Sequence, residues 1–378
     1  MKKVILIPDS FKGTMDSAAI CGIMEKQIKT YYPEAETVSI PVADGGEGTV
    51  DAFLAAMGGE KVFLTVKGPY REDLHAFYGL VDDGRTAIIE MASCAGLPLV
   101  GDNKHAERTT TYGVGQLIAH AAESGCRKII VGLGGSATND GGTGAASALG
   151  IRFMDYNGNS FVPVGGTLDQ IQTIDMSGLR HELKDVEIVT MCDIDNSLCG
   201  SQGASAVFGP QKGADEDTVK MLDQNLAHLA EVIHRHLKTD IADLPGAGAA
   251  GGMGAGMVAF LGSSLQMGIE TVLDTVRFDE IVADADLVIS GEGKMDTQSL
   301  RGKVVIGVAH RAKAAGVPVI AVVGDIGDNI ETAYDMGVTS IFSINRVAVP
   351  FKEAKMRSQN DLALTVADII RLLKRTHF

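Results

Sequence analysis

The feature that most constrains this chain is Gly132-Leu133-Gly134-Gly135-Ser136-Ala137-Thr138-Asn139-Asp140-Gly141-Gly142-Thr143-Gly144. It follows the apolar run Ile129-Ile130-Val131 and precedes an Ala-rich run to Leu149. A short apolar run, a polar glycine-rich break and a small-residue run predict strand, loop and helix. Six glycines in thirteen positions cost backbone entropy on folding, so this density implies positive φ or close approach of another group to the backbone. Ser136, Thr138 and Asn139 supply hydroxyl and amide groups, Asp140 supplies a carboxylate, and the following helix points its free N–H groups at the loop. That combination suits a phosphate or another small anion. A glycine-rich turn between a buried strand and a closely packed helix would account for the glycines alone.

At 378 residues the chain exceeds a typical single core, which makes two domains the expectation. Its repeated alternation of strand and helix patterns points to the α/β class. Lys plus Arg number 33 against 48 Asp plus Glu, a formal charge of -15 with no basic cluster, which argues against nucleic acid and anionic membrane as partners. Five cysteines, an odd set without a C-x-x-C pair, argue against a disulfide framework and a structural zinc site and suit a reducing cytoplasm. The apolar run Val4-Ile5-Leu6-Ile7 is too short for a secretory signal, and no later run approaches a membrane span, so the expected location is cytoplasmic.

In chain order, Val4 to Ile7 reads as a buried parallel strand, broken by Pro8 to Thr14 before a helical pattern through Lys29. Ser10, Lys12 and Thr14 then sit at a strand's carboxyl end, where open α/β sheets put their ligands. Glu36 to Val42 predicts a second strand, followed by Ala43-Asp44-Gly45-Gly46-Glu47-Gly48-Thr49 and a helix ending at Gly58-Gly59. Asp44 and Glu47 could be helix caps, but a short turn would not require three glycines for that purpose. From Glu60 the rhythm changes. Lys61 to Val66, Leu74 to Leu80 and Thr86 to Glu90 predict an antiparallel or mixed sheet. Thr109 to Gly115 opens a helix ending near Gly125, and Asn157-Gly158 marks a hairpin.

Glu187 to Cys192 predicts a further strand ending in Asp193-Ile194-Asp195-Asn196, two carboxylates suited to a cation or to a hydroxyl proton. Phe208-Gly209-Pro210-Gln211-Lys212-Gly213-Ala214 leads into the longest helix, Asp215 to about Leu237. His234 and His236 on it do not share a face and make a poor metal pair. Gly246 to Gly251 spells G-x-G-x-x-G, but Ile241 to Pro245 is a poor strand. Close helix packing or an anion loop is therefore preferred over a dinucleotide site and the NAD-dependent dehydrogenase it would imply. The strand–helix rhythm returns with Leu287 to Ile289, then Ser290-Gly291-Glu292-Gly293-Lys294-Met295-Asp296, a helix from about Val304, Pro318 to Val323 with Asp325, and Ser340 to Ser343. Asp361 to Leu373 closes the chain as an amphipathic helix. Gly291 to Lys294 lacks the spacing of a Walker A loop, though Lys294 remains an anion contact. The simplest assembly is a Rossmann-like parallel-sheet domain from both chain ends, 1–66 and 285–378. A mixed α/β domain, 67–284, is inserted between them, with the active site expected in the cleft.

Six blocks, taken in order, resemble the type I glycerate kinase family of bacteria across essentially the whole chain. They are Pro8 to Gly13, Ala43 to Thr49, Gly132 to Gly142, Phe208 to Ala214, Gly246 to Gly256, and Gly291 to Lys294 with Asp296. The resemblance implies ATP-dependent phosphorylation of D-glycerate, usually at the 2-hydroxyl, by a two-domain protein with a Rossmann-like part. Such chemistry needs phosphate-cradling backbone, cationic groups, carboxylates for Mg²⁺ and a group that orients the attacking hydroxyl. Asp193 is the first candidate for that hydroxyl, with Asp44 and Asp140 interchangeable with it at this stage and Lys12 beside them as a catalytic cation. Asp195 and Asp296 are the metal candidates. Gly134, Gly135, Ser136, Thr138, Asn139, Lys212, Gly291, Gly293 and Lys294 are the candidates for ATP. A monomer or homodimer is expected. Glycerate 3-kinase activity is one alternative. A galactokinase-like kinase, whose loop resembles Gly132 to Ala137 but carries a serine at the second glycine and a preceding proline, is another. A non-catalytic hydroxy-acid sensor is the third.

Overall fold

The computed structural model describes residues 1–376, as an α/β protein with parallel sheets that divides into two compact units. The first unit comprises Met1–Ala43, Asp51–Gly58 and Ile269–Phe378, and the second Asp44–Val50 and Gly59–Gly268. Residues 44–50 and 59–66 therefore cluster with the second unit and 269–284 with the first, where the sequence pattern places the limits at 66 and 285.

In the first unit, five strands form one parallel sheet in the spatial order Glu36–Ser39, Lys3–Pro8, Leu287–Gly291, Val319–Val323, Val338–Ser343. Numbered along the chain within this unit, that order is 2-1-3-4-5, one of the two common doubly wound arrangements, with its switch point between the first and third strands. The central strands read as continuous apolar runs because both faces are covered, and Val4, Leu6, Leu287 and Ile289 are 0 to 1% exposed. On one face pack the helices Ser17–Tyr31 and Phe351–Arg375, through Ile20, Met24, Ile28, Leu362, Val366 and Ile370. The Asp16 carboxylate caps the first of these by accepting from the Ala19 N–H at 2.7 Å. The closing helix begins ten residues before the amphipathic stretch at Asp361. Its first turns, Phe351 to Asn360, are largely exposed and so carry no apolar period to read.

The second unit is built on a six-stranded sheet ordered Ser264–Gln266, Glu187–Met191, Lys128–Gly132, Thr86–Glu90, Asp73–Val81, Glu60–Lys67. The first four strands are parallel and the last two pair antiparallel, so the sheet is mixed. A small three-stranded sheet, Arg152–Met154 between Ser160–Phe161 and Thr173–Asp175, contains the Asn157-Gly158 hairpin. The helix Glu216–Leu237 buries Leu226, Leu229, Val232 and Ile233, a stripe at helical spacing that fills the core beside Phe153 and Phe260, while Leu222 packs with Ala106 and Ala214.

The G-x-G-x-x-G stretch serves this packing. It follows no strand and opens the helix Ala249–Leu261, whose start is broken by left-handed backbone at Ala250, Gly251 and Gly252. Gly251 has φ of +66°, and a β-carbon there would collide with the Thr138 carbonyl oxygen and the Asn139 backbone. Its own carbonyl accepts from the Gly141 N–H at 3.0 Å. Gly251→Ala combines a strained φ with an overpacked backbone contact and is expected to cost about 2–4 kcal/mol of unfolding free energy. Urea titration at neutral pH measures it, and a loss below 1 kcal/mol would show that the loop yields freely.

Candidate functional site

The loops at the carboxyl ends of strands Lys128–Gly132 and Glu187–Met191 open on one cavity of about 220 Å³ within the second unit. Asp44, Gly134, Gly135, Ser136, Asp193 and Lys212 line it together, with Gln211, Phe208 and Ala250 completing the wall. Six of the fifteen residues singled out in the sequence thus meet at one place.

Lys212 is the unusual member. It sits in the 3-10 turn Pro210–Lys212 and is 2% exposed, yet both hydrogen-bond acceptors of its ammonium, Ser136 Oγ and the Thr138 carbonyl, each at 2.7 Å, are neutral. Burial pushes its pKa down from 10.5 to about 7, and the charge of Asp140 only partly opposes that shift. A buried ammonium of this kind lacks an anion, and it borders a cavity that can supply one.

Asp193 lies on the exposed side of the same cavity, at the strand end. Its Oδ1 accepts from the Gly268 N–H at 2.6 Å, a short charge-assisted bond that fixes the carboxylate's orientation. A β-carbon at Gly268 would stand 3.2 Å from both carboxylate oxygens. An ionised carboxylate is an acceptor, the role a substrate hydroxyl requires of its partner. Asp44 is also exposed, and its Oδ1 accepts from the Gly46 N–H at 3.2 Å. Asp195 is exposed two residues beyond Asp193 and does not line the cavity.

Asp140 is placed differently from Asp44 and Asp193. It is 0% exposed and lies off the cavity. Its carboxylate accepts from Thr111 N–H and hydroxyl at 2.7 and 2.9 Å and from the Gly142 and Gly144 N–H groups at 3.1 and 3.2 Å. Burial raises its pKa despite these bonds. These bonds tie the loop to Thr111 and to the start of helix Thr143–Ala148. Thr138 and Asn139 are also 0% exposed and off the cavity wall, and Thr138 contributes its carbonyl to Lys212. The glycines are explained partly by packing: a β-carbon at Gly134 would lie 2.5 Å from the Gly46 Cα, because the loops containing Gly45-Gly46 and Gly132–Gly134 cross in contact.

The remaining candidates belong to the first unit. Lys12 and Gly293 line a second cavity, of about 280 Å³, at the carboxyl end of that unit's sheet. Gly291 is needed where it packs against the Val322 carbonyl, Lys294 is exposed in a short strand paired with Asp325–Ile326, and Asp296 accepts from the Gln298 N–H at 2.9 Å as a turn cap. Between them Glu292, which no role was given in the sequence, is 5% exposed with Oε1 lacking any hydrogen-bond partner. Burial first, then the charges of Asp9 and Asp296, raise its pKa from 4.5 to about 7. A carboxylate directly after an apolar strand and between two glycines was the available signal. Because the folded state holds this proton more tightly, its contribution to stability is complete below pH 4.5 and is lost as pH rises through about 7. Glu292→Gln is therefore expected to flatten the decline in melting temperature between pH 5 and 8 and to stabilise the protein at pH 8; an unchanged profile would contradict the shift. Gly268 carried no sequence signal, since it acts through its main chain, whereas Phe208 and Gln211 lie in the Phe208 to Ala214 block and were given no role there.

Among the described residues, no group of three or more His, Cys, Asp or Glu side chains is assembled to hold a metal unaided, and no helix is long and apolar enough to cross a membrane. The family model described as the glycerate kinase family matches residues 4–374. A glycerate kinase of Bacillus cereus is 44% identical over 380 residues, covering 100% of both chains. A glycerate 2-kinase of Escherichia coli K12 is 47% identical over 343 residues and 90% of both. A crystal structure from Salmonella typhimurium LT2, of a protein assigned as glycerate kinase 2, superposes with a TM-score of 0.88 at 41% identity, over 100% of this chain and 99% of that one. The chain therefore belongs to the glycerate kinase family and, with it, to the kinases.

Proposed function

We propose that this protein transfers the γ-phosphoryl group of ATP to the 2-hydroxyl of D-glycerate, giving 2-phospho-D-glycerate and ADP. The observation that carries the reading is the buried Lys212 ammonium, bonded only to neutral oxygens at 2.7 Å and open to a cavity that also presents the Asp193 carboxylate. D-Glycerate carries an anion and a hydroxyl on adjacent carbons, and these two side chains offer a partner for each.

In this reading Lys212 binds the negative charge, either the substrate carboxylate or the transferring phosphoryl group. Asp193, oriented by the Gly268 N–H, accepts the hydroxyl proton as the oxygen attacks phosphorus. The Gly134–Ser136 backbone borders the position where charge develops, and Asp44 adds a second carboxylate to the cavity. Mg²⁺, when bound with the nucleotide, would neutralise phosphate charge. Such an ion usually takes one or two protein carboxylates and completes its shell with phosphate oxygens and water, which suits a chain with exposed Asp195 and no three-carboxylate cluster among the described residues. Phosphorus NMR of the product tests the regiochemistry: 2-phosphoglycerate is expected, and 3-phosphoglycerate as the first product would move the reading to a glycerate 3-kinase.

A further inference from the structure

The cavity of the second unit holds more recognition chemistry than Lys212 and Asp193 use. Asp44 lines it as well, on a segment with a distinctive place in the chain: Asp44–Val50 clusters with the second unit, while Met1–Ala43 before it and Asp51–Gly58 after it belong to the first. Two contacts dock that segment. The Gly134 N–H, on the cavity wall, donates to the Gly45 carbonyl at 3.0 Å, and the loops cross so closely that a β-carbon at Gly132 would lie 2.3 Å from the same oxygen. Glu90, buried at the end of strand Thr86–Glu90, accepts from the Val50 N–H at 3.2 Å, where the helix Thr49–Met57 begins. The Thr49 hydroxyl closes the turn by donating to the Gly46 carbonyl at 2.7 Å, and the Gly46 N–H donates to the Asp44 carboxylate. A loop that only joined a strand to a helix would need no such docking, whereas a loop that must place a carboxylate in the cavity does.

We propose that Asp44 accepts the 3-hydroxyl of D-glycerate, the one that is not phosphorylated, and so selects acids that carry a hydroxyl on both carbon 2 and carbon 3. The inference rests on the reading of this cavity as the D-glycerate site and deepens it. The cavity presents one buried ammonium, Lys212, and two carboxylates, Asp44 and Asp193. An ionised carboxylate accepts hydrogen bonds and repels anions, so the two aspartates call for two donors and the lysine for one negative charge. D-Glycerate carries one carboxylate and two hydroxyls and matches that set group for group. With its carboxylate at Lys212 and its 2-hydroxyl at Asp193, the 3-hydroxyl and Asp44 are the pair that remains. The other polar side chains on the wall do not select in this way: the Ser136 hydroxyl oxygen already accepts from Lys212, and the neutral Gln211 amide can donate to a carboxylate as well as accept from a hydroxyl. A 2-hydroxy acid without the second hydroxyl would give Asp44 no donor, and a dicarboxylate would bring a second anion against it.

Binding calorimetry on the full chain, without ATP or Mg²⁺, tests this role apart from turnover. The two ligands are D-glycerate and hydroxymalonate, the analogue in which a second carboxylate replaces the hydroxymethyl group. Asp44→Asn keeps the size of the side chain and an oxygen for the Gly46 N–H. It is expected to weaken D-glycerate binding about tenfold and to tighten hydroxymalonate binding by about the same factor, an exchange of preference that loss of local structure would not produce. Hydroxymalonate affinity that is unchanged or reduced in Asp44→Asn would overturn the proposal. So would a D-glycerate effect that appears only when Mg²⁺ is added, which would make Asp44 a metal ligand. A wild type that binds neither ligand would remove the D-glycerate reading of the cavity and the proposal with it. Failure of the kinase reading alone would look different: the exchange of preference without glycerate-dependent ADP release would leave Asp44 as the selector of a non-catalytic hydroxy-acid site.

Discussion

Lys212→Met is expected to lower kcat/KM for D-glycerate by about 10²–10³-fold while the protein remains folded, because it removes the buried cation that lines the cavity. Methionine has a similar length and no charge, so the cavity is changed in electrostatics more than in shape. The argument extends to pH. With the pKa lowered to about 7 in the unliganded protein, Lys212 is half deprotonated near neutrality and increasingly neutral above it. Binding an anion must first restore the proton, so the affinity for an anionic ligand falls by about tenfold per pH unit above 7, until the pKa of the liganded ammonium is reached. The wild type should show this fall in binding titrations between pH 7 and 9, and Lys212→Met should bind weakly with no such slope. A pH-independent wild-type affinity would remove Lys212 as the anion partner.

Asp193→Asn is expected to reduce kcat by about 10²–10⁴-fold with the KM for D-glycerate changed by no more than a few-fold. The amide oxygen can still accept from the Gly268 N–H, so the orientation seen at 2.6 Å survives while the proton acceptor is lost. Steady-state kinetics at saturating ATP separate the two parameters. A variant that keeps more than a tenth of wild-type turnover would transfer the role to Asp44, the other carboxylate that lines this cavity.

The parts of the fold that were legible from the sequence are those where burial repeats with the backbone's own period. Val4 to Ile7 and Ile129 to Val131 are covered on both faces and read as strands, and the helix Glu216–Leu237 shows its core stripe. The first ten residues of the closing helix were hidden because they touch solvent and need no apolar pattern. The site was legible as loops: strand, glycines, then polar residues mark where a chain leaves a sheet edge. Ranking the aspartates was not possible from spacing, since Asp140 and Asp193 both follow apolar strands and differ only in what surrounds them. One is buried among donors from Thr111, Gly142 and Gly144, while the other accepts from the Gly268 N–H and lines a cavity. The depressed pKa of Lys212 likewise depends on the depth to which its turn is buried, which a lysine between glutamine and glycine does not reveal.

The most direct test of the account is ADP release from Mg-ATP by the wild-type protein, measured with and without D-glycerate. Release that depends on D-glycerate, saturates with it and falls by at least about a hundredfold in both Lys212→Met and Asp193→Asn is the predicted result. Saturable D-glycerate binding without ADP release would contradict it and identify the cavity as that of a sensor.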